Sequence, residues 1–190
     1  MNTEELKSLI TDLAKIKRRA IKLGFDGGQL SGILGETQAA YIVREMLGDT
    51  SYFPAPPNAQ SIDANSEVYG GVSVKWWTIK DKSSSKLFLH RSLDFSYLLI
   101  IMNRTNYLVP RDVFTTIHPT GLKSKERIDS GILYLTNGGK KGLALAASDN
   151  NVAILNKHYV LKNDLFLNEV FYTKDIGKLN QSQLEILSSI

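Results

Sequence analysis

The sequence predicts an α/β domain in which a mixed central β-sheet is flanked by helices and followed by a small β-rich C-terminal extension. Three observations lead there. Apolar residues recur at helical spacing over residues 3 to 23 and again from Gln29 to Leu47. In the middle of the chain Val72 to Ile79 alternates, and Tyr97-Leu98-Leu99-Ile100-Ile101-Met102 is continuously apolar, as a strand covered on both faces must be. Beyond His118, short strand-like runs are separated by turn-forming residues. The 190 residues suit one domain, large enough to bury a core without staples. No cysteine is present, which excludes disulfides and thiolate metal sites.

Taken in order, the first helix carries Leu6, Leu9, Ile10, Leu13, Ile16, Ala20 and Leu23 on helical spacing; Asn2 and Glu5 can form its cap and Gly24 can end it. Its rear holds Lys15, Lys17, Arg18, Arg19 and Lys22, which either contact phosphates or form a solvated face. The second helix lies between Gly27-Gly28 and Gly48. Advancing about 100° per residue places Ile33, Ala39, Ala40, Val43 and Leu47 within roughly 60° of Glu36. The carboxylate is therefore expected in the middle of an apolar stripe, where an unpaired charge is expensive and calls for a compensating cation. Pro54-Ala55-Pro56-Pro57 reads as a turn. Ser61-Ile62-Asp63 and Val72 to Ile79 read as two strands joined by a loop containing Asn65, Ser66, Gly70 and Gly71. With a period of two, Val72, Val74 and Trp76 take one face and Ser73, Lys75 and Trp77 the other, so pairing of the strands sets Asp63 beside Lys75. The two tryptophans are expected in the core.

Lys80, Lys82, Lys86 and Arg91 surround Ser83-Ser84-Ser85, a basic connection. After the apolar strand, Asn103 to Asn106 reads as a turn, Tyr107-Leu108-Val109 as a returning strand, and Pro110 as the start of a short helix through Ile117. In the extension, strands are expected at Ile132 to Leu135, Leu143 to Ala147 and Val152 to Leu155, with hairpin turns at Asn137-Gly138-Gly139 and Asp149-Asn150-Asn151. A last helix is expected over Asn180 to Ile190.

A carboxylate beside an ammonium at a strand end can hold a divalent cation and polarise a water or phosphate oxygen. Asp63, nine intervening residues and Ser73-Val74-Lys75 resemble the PD-(D/E)XK signature of the restriction-endonuclease-like nucleases. Ile62 stands where that family usually has Pro, and Ser73 where it usually has Glu or Asp. Gly35-Glu36, followed by small residues, resembles the helical Gly-Glu element of many of its members and offers the acid that Ser73 does not. The resemblance implies a restriction-endonuclease-like core over roughly residues 20 to 117, with the extension outside it at about 118 to 175. It further implies Mg²⁺ held by Glu36, Asp63 and the Val74 carbonyl, Lys75 orienting the attacking water, and Ser73 contributing at most a hydrogen bond.

The expectation is a Mg²⁺-dependent endonuclease on double-stranded DNA, of the kind that acts as a type II restriction homodimer on palindromic sites. The alternative is a non-catalytic DNA-binding or assembly module that keeps the scaffold after losing a carboxylate at Ser73. Lys80, Lys82, Arg91, Lys123, Lys125, Lys140 and Lys141 are the candidate DNA contacts. A formal charge of +4 and a pI near 9.2 permit a polyanionic partner without requiring one. Acids at Glu4, Glu5 and Asp12 and the lack of a long apolar run exclude a signal peptide or membrane span at the start, so a cytoplasmic location without membrane contact is expected. His90, His118 and His158 lack zinc-ligand spacing; no phosphate loop or Gly-x-Ser-x-Gly turn is present.

Overall fold

The computed structural model describes residues 2–25, 28–56, 61–77, 79, 85–102, 105–161 and 180–189. Helix α1 (Thr3–Lys22) opens on the expected capping box: the Asn2 side chain accepts from Glu4 N at 3.0 Å and Glu5 receives the Asn2 N–H at 3.3 Å. Acids in its first turn and Arg19 and Lys22 in its last match the helix dipole. Gly24, at φ 84°, takes the left-handed position beyond its end. Helix α2 (Gly28–Tyr41) packs along α1 and continues into a π-helical turn at Ile42–Met46.

The larger sheet has five strands in the order β1 (Phe53–Pro54), β2 (Ala64–Ser66), β3 (Gly70–Trp76), β5 (Tyr97–Met102) and β6 (Thr105–Pro110). It is mixed: β3 and β5 run parallel, and every other pair is antiparallel. Parallel neighbours need a crossover. Here β4 (Lys86–Leu89), which lies between them in sequence, joins a second sheet in the order β4, β9 (Leu143–Ala146), β8 (Leu133–Asn137) and β7 (Phe114–Thr115). Helices α3 (Ser124–Ser130) and α4 (Asp149–His158) pack together, with α4 also on β8. Helix α5 (Gln181–Ser189) lies on α1.

Two cores meet at β5. Leu99 and Ile101 join Val72 and the helical side, with Leu6, Ile10, Leu34, Ala39 and Val43. Leu98 and Ile100 join Trp77, Leu87, Leu135, Leu145, Ile154 and Leu155 on the other. The alternation expected for β3 holds, with Val72, Val74 and Trp76 in the first cluster and Trp77 in the second. The outer strand β6 is bridged by the segment after α4: Leu108 N donates to Tyr159 O at 3.1 Å and Leu161 N to Asn106 O at 2.8 Å.

Several sequence expectations are corrected. The strand before the turn is Ala64–Ser66, which pairs with Gly70–Val72, and not Ser61 to Asp63: Ser61 takes a left-handed φ of 59°, outside the extended region a strand requires. Gly70 sits at φ 67°, and a Cβ there would lie 2.6 Å from Ser96 Oγ. Pro110 leads a 3-10 turn, Arg111–Val113, and the short strand β7 instead of a helix through Ile117. The run Val152 to Leu155 lies inside α4, whose N-cap Ser148 accepts from Asn151 N at 3.3 Å; this cap, not a hairpin turn, is what Asp149-Asn150-Asn151 serves. The extension is no appendage either, since Leu133 and Leu135 of β8, Leu145 of β9, and Ile154 and Leu155 of α4 belong to the core on one face of the larger sheet. Strands β1 and β4 and helix α3 went unread in the sequence.

Leu99 is buried on a strand enclosed from both sides. Leu99→Ala is expected to cost about 2–5 kcal/mol by lost burial and a cavity, read as a lower urea midpoint with an unchanged denaturant slope.

Candidate functional site

Asp63 stands one residue before β2, and the antiparallel pairing fixes it: Asp63 N donates to Val72 O at 2.9 Å and Ala55 N donates to Asp63 O at 3.0 Å. Its carboxylate turns toward β3. Oδ2 accepts from Val74 N at 2.6 Å and from Ser73 Oγ at 3.0 Å, and meets Lys75 Nζ at 3.4 Å. All three described donors use the same oxygen, so Oδ1 is left for another partner. Ser73 is 2 % exposed, and its hydroxyl works as a strut under Asp63. Ser61, two residues earlier, holds φ 59°, a left-handed conformation that few non-glycine residues adopt.

Glu36 comes to the same place from α2. It lines a pocket of about 210 Å³ together with Gly32, Gly35, Asp63, Val74, Lys75 and Trp76. The expectation that Glu36 occupies the middle of an apolar stripe is corrected. From Thr37 to Val43 every position of the helix is buried, enclosed between α1 and the sheet, and Glu36 is the last exposed residue before that enclosed stretch, with Ile33 exposed beside it. Among the described residues Glu36 has no hydrogen bond or ion pair. Its pKa is raised, first by the protein packed around the carboxyl and then by the charge on Asp63, while the Lys75 ammonium pulls the other way. Tyr52, buried beneath, has its phenol pushed up by burial and then by the charges of Asp63 and Glu36. Two carboxylates and one ammonium thus share one small opening.

The site's chemistry fits a hard divalent cation. Mg²⁺ takes one or two carboxylates and keeps the rest of its shell for water and substrate phosphate; the unshared Oδ1 of Asp63, the unpaired Glu36 and the Val74 edge of β3 provide that set. No group of three His, Asp or Glu residues that could hold a metal occurs among the described residues, so an all-protein cage is not what this opening offers.

None of the described candidate DNA contacts lines this pocket. Lys80 and Lys82 lie outside the described residues. Arg91 donates to Asn137 Oδ1 at 3.1 Å and Gly139 O at 2.7 Å, bracing the β8–β9 turn. Lys141 lies 4.9 Å over the Phe88 ring, and Lys140 is exposed on the same turn. Lys123 and Lys125 are exposed at the start of α3. Gly32, Trp76 and Tyr52 were not singled out as site residues by the sequence; Trp76 lines the pocket, and its indole N–H is buried without a hydrogen-bond partner among the described residues. Its place on the core face of β3 concealed it, since that side of the strand meets α2 just where Gly35 has no side chain.

The raised pKa of Glu36 has a consequence for stability. Between its ordinary and its raised value the folded protein binds more protons than the unfolded chain, so stability falls as pH rises through that window. Glu36→Gln removes the cost. Its thermal midpoint is expected to gain on the native protein from about pH 4 to about pH 8, and equal midpoints across that range would show the carboxylate to be unstrained.

No described helix is long and apolar enough to cross a membrane. No protein-family model matches the chain, and a search of curated proteins finds no match.

Proposed function

We propose that this protein is a Mg²⁺-dependent endonuclease that hydrolyses phosphodiester bonds of double-stranded DNA. The observation that carries the reading is the convergence of Glu36 from α2, Asp63 from the edge of β2, and Val74 and Lys75 from β3 on one opening. Its mixed sheet, with the acid and the lysine on adjoining strands, is consistent with a restriction-endonuclease-like core. Glu36, Asp63 and the Val74 carbonyl would hold the cation, which when bound supplies Lewis-acid polarisation of the scissile phosphate and a more acidic water.

The remaining roles belong to the chain. The Lys75 ammonium, held at 3.4 Å by Asp63, orients a water for in-line attack and offsets negative charge developing on the phosphoryl oxygens. Ser73 and the Val74 N–H keep Asp63 Oδ2 fixed, which leaves Oδ1 as the oxygen that would take the cation with little reorganisation of the carboxylate. Water leaves the narrow opening as the backbone enters, which strengthens each of these interactions. A homodimer on a palindromic site, in the cytoplasm, is the biological setting this reading takes by analogy with type II restriction enzymes.

One observation favours a second reading. Where the nuclease pattern has a carboxylate, Ser73 spends its hydroxyl on Asp63, which suits a scaffold that binds DNA without cutting it.

Plasmid cleavage separates the two. The endonuclease reading expects nicking or linearisation with Mg²⁺, abolished by EDTA, with Lys75→Ala lowering the rate by at least about 10² while duplex affinity stays within a few-fold. DNA binding with no cutting under any divalent ion would sink it. Ser73→Glu gives a further check: under the second reading it creates metal-dependent cutting that the native chain lacks, whereas under the first it adds about tenfold or less to a rate already present.

A further inference from the structure

Away from the carboxylates, the face of α1 formed by Lys15, Arg18, Arg19 and Lys22 is unusual in composition. These positions are spaced three, four and seven residues apart, so their side chains stack along one side of the helix. Like charges so placed repel by about 0.2–0.5 kcal/mol per pair, and neighbouring acids normally relieve them. Here the relief is slight: Lys15 lies 3.8 Å from Asp12, and the side chains of Arg18, Arg19 and Lys22 have no hydrogen bond or ion pair among the described residues. Lys17, in the same run of sequence, is buried and takes no part.

The four cations do not simply radiate into solvent. With Gln181 and Leu184 of α5 they line a pocket of about 360 Å³. Gln181 is the first residue of the nine-residue α5, whose cap is the reciprocal pair Gln183 N to Asn180 Oδ1 at 2.8 Å and Asn180 N to Gln183 Oε1 at 3.0 Å. The positive end of that helix therefore adds to the side-chain charge at the same opening. Glu185, the acid nearest in sequence, is engaged by Gln181 Nε2 at 3.1 Å and does not line the pocket.

We propose that this pocket is an anion-binding site for the phosphodiester backbone of a nucleic acid. The shape of the charge points to a linear polyanion in place of a single phosphate. From Lys15 to Lys22 the cations extend over roughly 10 Å of helix axis, a length that matches about three phosphates of one strand at 3.4 Å of duplex axis per strand charge. No base edge is read by such a contact; it supplies affinity and register on the strand. The inference takes its partner class from the nuclease reading but rests on different residues, and its test reads binding with no cleavage step.

The measurement is fluorescence anisotropy of a short labelled duplex in EDTA, over a series of salt concentrations, for the native chain and the triple variant Arg18→Ala/Arg19→Ala/Lys22→Ala. Removing three phosphate contacts is expected to flatten the plot of log affinity against log salt by about 2–3 and to weaken binding at low salt by at least about tenfold. The charge-preserving Arg18→Lys/Arg19→Lys variant should keep the native slope, which separates a lost contact from a misfolded helix. An unchanged slope in the triple variant overturns the proposal. So does a slope change seen only with inorganic tripolyphosphate as competitor while duplex affinity stays native, because the pocket then takes a small anion. If the native chain binds DNA with the expected slope and never cuts it, the cleavage reading fails and this one stands.

Discussion

The described structure is arranged about β5, a strand whose four central residues meet no solvent. Leu98, Leu99, Ile100 and Ile101 are each fully buried, with alternate side chains entering the helical core on one face and the core shared with the second sheet on the other. A strand so placed has to be apolar throughout, and it has to be covered twice. That requirement accounts for the two helices before it, which make the first cover, and for the second sheet and α4 after it, which make the other. It also fixes β3, which lies parallel beside β5 over Val72 to Trp76 and is held in register by five residue pairs. The backbone of Lys75 is thereby fixed by the best-packed part of the fold, and a side chain carried on a rigid strand is placed more precisely than one carried on a loop.

The electrostatics of the candidate site follow from that scaffold. Asp63 is satisfied on one oxygen by groups of β3, whereas the Glu36 carboxylate arrives from the helical layer with no hydrogen-bond or ion-pair partner among the described residues. Two like charges brought together at the junction of two layers work against folding, and proteins keep such arrangements where a ligand relieves them. The basic face of α1 repeats the theme with the sign reversed. One candidate opening lies at the α2–β3 seam and the other between α1 and α5, while beside the second sheet Arg91 braces the β8–β9 turn and Lys141 covers the Phe88 ring.

How much of this was legible depended on how local each signal is. The helix cap at Asn2 and Glu5, the two faces of β3 and the buried run of β5 rest on spacing within a few residues, and they read correctly. The juxtaposition of Asp63 with Lys75 was also legible, because a short turn leaves antiparallel strands little choice of register. Glu36 was found for an incomplete reason: the helical wheel measured its distance from apolar neighbours, but the stretch after it is buried on all sides, so the wheel has no single stripe to centre on. The helix at Asp149–His158 was missed because Val152 to Leu155 is too short and too β-branched to reveal its period, although Ser148 is a good cap. Strand β4 was hidden in a lysine- and serine-rich run whose partner, β9, lies more than fifty residues away. The wall that Gln181 gives to the basic pocket is longer-range still, and no local pattern announces it.

The borders of the larger sheet bear on assembly. On one side β1 has two residues and ends in Pro54, which has no N–H to offer; on the other, β6 already gives backbone groups to Tyr159 and Leu161. Continuation of this sheet from one copy into the next is therefore closed at both margins. Any two-fold association of the chain therefore has to use surfaces other than these two margins, among them the outer strands β4 and β7 of the second sheet and the side chains of helices and loops.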